Sequence, residues 1–132
     1  MFNYKTKAYD ETATMNLVDP ETGVDIEVDG KPVSITVYGQ ASAKYRKAVD
    51  ALLLKANKRG KREATLEEKR QESVDFLVAL SSTTSNFVDE NEDPVTTPEQ
   101  FKVLYSDESV AWIRDQVQAF IGDPLSFMKT VA

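Results

Sequence analysis

The chain contains no cysteine and no histidine among its 132 residues. The first absence removes disulfides and thiolate chemistry. The two together remove Cys/His zinc sites and any Ser–His or Cys–His nucleophile system. With the commonest general acid–base side chain missing, only carboxylate, lysine or tyrosine chemistry survives. The five glycines are scattered at turns, so no Gly-rich phosphate loop is built. No apolar run approaches the roughly 20 residues that span a bilayer. The opening "MFNYKTKAYDETATMN" lacks the unbroken apolar centre of a signal peptide. A reducing cytoplasm is expected, with no membrane partner.

What is present is a composition of 41% apolar and 29% charged residues, that of a single globular domain spanning 1–132. Its net charge of −6 is unevenly spread. Residues 41–70 hold ten cations against four carboxylates, a local excess of +6, which leaves −12 for the remainder. A basic zone on an acidic body steers partners, further copies of the chain among them.

Residues 13–38 alternate with period two: Ala13, Met15 and Leu17, then Val24, Ile26 and Val28, then Val33, Ile35 and Val37. "DPETG" and "DGKP" separate the runs, and Asp-Gly between β-branched runs is a strong hairpin signal. An antiparallel hairpin or three-stranded meander is expected, with Asp25, Glu27, Ser34 and Thr36 facing water. Ser42 caps a helix over 42–58 with a stripe of Tyr45, Ala48, Val49, Leu52, Leu53 and Ala56. Thr65 and Glu68 form a capping box for a helix over 65–80, its stripe Leu66, Val74, Leu77 and Leu80 with Phe76 at the edge. "SSTTSN" then reads as a loop. Thr97, Pro98 and Gln100 start a short helix over 98–105 that carries Phe101, Leu104 and Tyr105. A last helix is expected over 107–122, capped by Ser106 or Asp107 and stopped by Gly122 and Pro124, and the apolar tail "LSFMKTVA" should dock. Strands first and helices after define an α+β fold with a bundle of three to four helices.

Little of this pattern points to chemistry. Asp89, Asn91 and Asp93 alternate like the opening of a calcium loop, but Pro94 stands where Gly is needed and Gln100 where Glu is needed. An acidic surface loop is expected there. Lys55, Lys58, Arg59, Lys61 and Arg62 could contact phosphates, yet no aromatic residue is interleaved to stack bases. A solvated link, or a contact to an acidic protein surface, is the better reading, with no nucleic-acid partner. In the last helix Val110, Ile113, Val117, Phe120 and Ile121 share a face, and Trp112 falls on another. Trp112 is then either packed under a neighbouring element or an anchor for a partner.

The stretch "FKVLYSDESVAWIRDQVQAFIGDPLSFM" resembles the C-terminal part of the tail assembly chaperones of long-tailed bacteriophages. Leu104, Tyr105, Asp107, Trp112, Gln116, Phe120, Ile121, Asp123 and Phe127 carry the likeness. "TGVDIEVDGKPVSITVYGQASAKYR" is similar to the family's strand-rich start and Ser-capped helix. Where the family has a tryptophan after the second long helix, this chain offers Phe87. The resemblance implies a non-enzymatic protein without metal or cofactor that binds the tape measure protein, with the tail tube protein a further candidate partner. It implies action in the cytoplasm of the infected host and absence from the finished virion. With the self-association that the charge division favours, the expected partner-binding residues are Trp112, Tyr105, Phe120, Phe127, Lys58, Arg59 and Arg62. The alternative is a virion structural protein, a minor tail or head–tail joining component; a nucleic-acid-binding regulator using residues 55–62 is a third.

Overall fold

The alternating pattern of the N-terminal third produces two full strands, not three. In a computed structural model describing residues 1–129, β1 (Thr12–Asn16) lies antiparallel to β4 (Ser34–Tyr38), with Met15 opposite Ile35 and Ala13 opposite Val37. Between them the chain makes an excursion. "DPETG" turns back through a bond from Gly23 N–H to the Asp19 carbonyl, with Gly23 at positive φ. Asp-Gly then closes a small hairpin of β2 (Glu27–Val28) and β3 (Lys31–Pro32). Asp29 and Gly30 both take positive φ, as a tight primed turn requires.

The third strand of the sheet comes from the stretch expected to be a loop. β5 (Ser81–Ser85) pairs antiparallel with β4, giving the order β1-β4-β5. Hydroxyl residues favour loops when nothing organises their backbone, but threonine is also β-branched and fits an edge strand. Here the open edge of β4 supplies the ladder, with Thr83 opposite Thr36 and an irregularity between Thr36 and Val37. Asn86, just after β5, donates to the carbonyls of Val28 and Lys31 and so ties the small hairpin to the sheet. Ser34 is buried beneath this third strand's end of the sheet, contrary to the water-facing position expected of it.

Four helices complete the α+β fold: α1 (Ala43–Arg59), α2 (Leu66–Leu80), α3 (Pro98–Ser106) and α4 (Ala111–Gly122). Ser42 caps α1, while Thr65/Glu68 and Thr97/Gln100 form reciprocal capping boxes on α2 and α3. The last helix starts later than its acidic cap suggests. Asp107 instead caps a short 3₁₀ turn, Glu108–Val110, and α4 follows it.

The core gathers Met15, Leu17, Val33, Ile35 and Val37 from the strands against Val74 and Leu77 of α2, Phe101 and Tyr105 of α3, and Ile113 and Val117 of α4. Gln116 couples α4 to the sheet: its amide accepts from the Val18 N–H at 2.9 Å and donates to the Val18 carbonyl at 2.7 Å. The apolar tail docks as far as it is described. A 3₁₀ turn (Pro124–Phe127) buries Phe127, and Met128 bridges to Tyr9. Residues 130–132 of that tail lie outside the described residues.

Candidate interaction surfaces

The seven residues expected to meet a partner separate into buried aromatics and largely paired cations. Tyr105 is fully buried, stacks on Phe101 with ring centres 5.8 Å apart, and shares a 2.6 Å hydrogen bond with the Ser81 hydroxyl. Burial pushes its phenol up to about 12. Phe127 is buried too, and it packs edge-on against the half-buried Phe120 at 5.6 Å. Tyr105 and Phe127 are therefore core residues of this chain and present no surface to a partner, a correction to their expected role. Trp112 is half-buried and packed against the core cluster, so α4 is covered on more than its main stripe.

The cations form a fastening between α1 and α2. Arg59 pairs with Glu72, both largely buried, and Lys55 reaches Asp75 at 3.5 Å. Arg62 grips Glu68 with two bonds, 2.7 and 3.0 Å, and that hydrogen-bonded guanidinium holds the Glu68 carboxyl down to about 2. Lys58 is exposed and has no ion-pair partner among the described residues. No hydrogen bond, ion pair or ring contact joins these cations to the four aromatics among the described residues.

Two surfaces stand out that the sequence pattern did not single out. The first is the outer side of α1, a helix that buries only Ala48 along its whole length. Its packing is chiefly on α2, including a Tyr45–Phe76 edge contact at 5.7 Å. Leu53 and Ala56, two of the six residues of the expected stripe, are exposed, and Leu54 beside them is 61% exposed. The same holds for Leu66 at the start of α2, which is exposed.

The second surface is a groove of about 490 Å³ between the 87–95 loop and the α3–α4 corner. Phe87, Val95, Leu104 and Val110 line it, and Val88 and Val103 stand exposed on its walls. Its rim carries Asp89, Glu90, Glu99 and Asp107, and no cation lines it. The loop is organised by its own polar groups. Asp89 accepts from the backbone N–H groups of Asn91 and Asp93 and from the Gln100 amide; the Gln100 bond is the main cause holding its carboxyl below the usual range. Asp107 is held low in the same way, first by the Ser109 hydroxyl and then by the Ser109 N–H. The acidic run thus serves a turn, and no group of three or more potential metal-binding side chains occurs among the described residues. A signal for the groove existed in the sequence: Val103 stands off the Phe101–Leu104–Tyr105 face of α3, and the structure leaves it exposed.

No helix among the described residues is long and apolar enough to cross a membrane. No protein-family model, curated protein or solved structure matches the chain.

Proposed function

We propose that this chain is a non-enzymatic tail assembly chaperone of a long-tailed bacteriophage. It binds the aggregation-prone tape measure protein in the host cytoplasm before the tail tube polymerises, and it leaves before the particle is complete. The observation that carries this reading is the placement of apolar side chains outside the core on several separate elements: Leu53 and Leu54 on α1, Val88 and Val103 around the groove, and Leu125 in the docked tail. Apolar side chains exposed side by side mark a contact surface: Leu53 and Leu54 are neighbours on α1, and Val88 and Val103 line one groove. The net negative charge keeps such a surface soluble. The C-terminal residue pattern from Phe101 to Met128 supplies the choice of client.

The test is co-expression with the tape measure protein encoded by the same genome. Soluble, co-purifying tape measure protein that precipitates when expressed alone supports the reading. Mass spectrometry of purified particles supplies the second arm. Stoichiometric retention of this chain in the virion would replace the chaperone with a structural tail or head–tail joining component.

A further inference from the structure

We propose that the groove between the 87–95 loop and the α3–α4 corner takes a cationic amphipathic helix of the client, its apolar side chains in the groove and its Lys and Arg on the rim. The inference rests on the proposed function for the identity of the partner. It adds which face of this chain meets the client and what kind of client segment fits.

The rim is acidic and lacks a counter-charge. Asp89, Glu90, Glu99 and Asp107 stand around an apolar floor, and among the described residues no cation lines the groove. None of the four is in an ion pair among the described residues. Cations close in sequence are committed elsewhere: Lys102 reaches Asp75 on α2 at 3.6 Å, and Arg114 pairs with Glu108. Asp89 and Asp107 are hydrogen-bonded within their turns and held low, so they stay charged at neutral pH, while Glu90 and Glu99 are exposed and spare. Between these charges Val88 and Val103 are left 53% and 71% exposed on the walls. A partner that covers the valines therefore brings apolar anchors bracketed by positive charge.

The backbone decides the form of the occupant. The loop spends its own groups inwardly: the Asp89 N–H donates to the Asp93 carbonyl, Glu92 to Asp89, and Val95 to Phe87. The groove thus recognises side chains rather than adding a strand, and its occupant satisfies its own backbone, as a helix does. This chain does not carry such a segment on its exposed surface. Residues 57–63 concentrate cations but hold no apolar side chain. On α1 the exposed Leu53 and Leu54 lie about 100° apart with Asp50 between them, which sets a carboxylate among the anchors.

Fluorophore-labelled peptides that tile the tape measure protein of the same genome, titrated with the full chain and read by anisotropy, test the site. The peptides that bind should carry apolar residues at helical spacing and a net positive charge, and should bind more weakly as salt rises. Val103→Asp puts a charge on the apolar wall, and Glu90→Lys with Glu99→Lys reverses two of the four rim charges. All three positions are exposed, so circular dichroism should match the parent chain. Each variant should bind those peptides about tenfold more weakly or worse. Leu53→Asp with Leu54→Asp on α1 should bind them like the parent. The charge-reversed variant should also gain affinity for a peptide whose Lys and Arg are replaced by Glu, a swap that misfolding cannot produce. The proposal is overturned if no peptide binds, if the bound peptides are neutral or acidic, or if the groove variants bind like the parent. Self-association that Val103→Asp abolishes while peptide binding persists gives the groove to a second copy and overturns it too. Co-expression separates this from the wider reading. A tape measure protein kept soluble equally by parent and groove variants sinks the groove and leaves the chaperone standing; one that the parent fails to solubilise removes the chaperone reading and, with it, the partner named here.

Discussion

α1 and α4 are both amphipathic by residue spacing, yet they use their apolar side chains in opposite ways. α4 buries Ile113 and Val117 and packs Trp112, Phe120 and Ile121 on the core. α1, the longer helix, buries only Ala48. The cause lies in their neighbours. α4 meets α3, the docked tail and, through Gln116, the Val18 backbone. α1 leans on α2, with ion pairs where α4 has apolar contacts. Helical periodicity therefore identifies a face without saying what covers it, and here it leaves α1 free for contact outside the chain.

The comparison breaks most sharply under truncation. Phe101→Ala empties a fully buried site and should cost about 3–5 kcal/mol. Leu54→Ala on α1 should stay within about 0.5 kcal/mol, because the side chain is already largely in water. Urea denaturation of the two variants checks this, read at a concentration where the chain is monomeric. Equal losses would mean that α1 is as integrated as the body.

A smaller effect tests where the tail docks. A Cβ added at Gly39 would lie 2.5 Å from the Phe127 ring, and that ring is buried on all sides. Phe127 cannot swing aside into solvent, so Gly39→Ala should cost about 1–3 kcal/mol through overpacking. Gly122→Ala meets no atom within 4 Å and serves as the control. A Gly39→Ala melt indistinguishable from the control would detach the tail from the body.

These contrasts mark what the sequence made legible. Local chemistry was readable: Ser42, Thr65/Glu68 and Thr97/Gln100 start the helices, and Asp29-Gly30 turns the small hairpin. The α+β class followed from such signals. The third strand did not, because "SSTTS" has no apolar alternation of its own and becomes a strand only on the free edge of β4, more than forty residues away in sequence. The candidate surfaces were hidden for a related reason. Tyr105 and Phe127 look like interface aromatics, but partners distant in the sequence help to bury them: Ser81 for one, the Gly39 backbone for the other. Leu53 looks like core because nothing local shows that its face lacks a cover. Gln116, one of the residues shared with the chaperone pattern, serves the fold by clasping Val18.

Polar contacts within the body should matter less than its packing, and their pH dependence identifies them. Tyr105→Phe removes the bond to Ser81, whose hydroxyl keeps its second partner, the Leu77 carbonyl. The expected loss at neutral pH is about 1 kcal/mol. The buried phenol titrates near 12 against an ordinary 10, so the folded state favours the protonated form. That contribution is complete below pH 10 and is lost as pH rises from there to 12. The parent should therefore lead the Phe variant at neutral pH, and that lead should shrink and then reverse as pH rises from 10 towards 12. Parallel curves would mean that the phenol is open to water.

The smallest effect belongs to the exposed fastening beyond the end of α1, and it runs in the acid direction. Arg62 holds the Glu68 carboxyl near 2 against an ordinary 4.5. A depressed carboxylate contributes stability above its ordinary value, and the contribution drains away as pH falls from 4.5 towards 2. Glu68→Gln removes this charge without removing the cap, since a glutamine at the same helix position completes the box in α3 through Gln100. Because the pair is exposed, the two proteins should melt almost together at neutral pH, with the small difference vanishing in acid and in high salt. Amide exchange gives the regional reading. Acid should release amides at the α1–α2 junction while those of β4 and α4, held by apolar burial, stay protected. Simultaneous release of both regions would show one cooperative unit, with the ion pairs of α1 contributing as much to its attachment as the packing of α4 does.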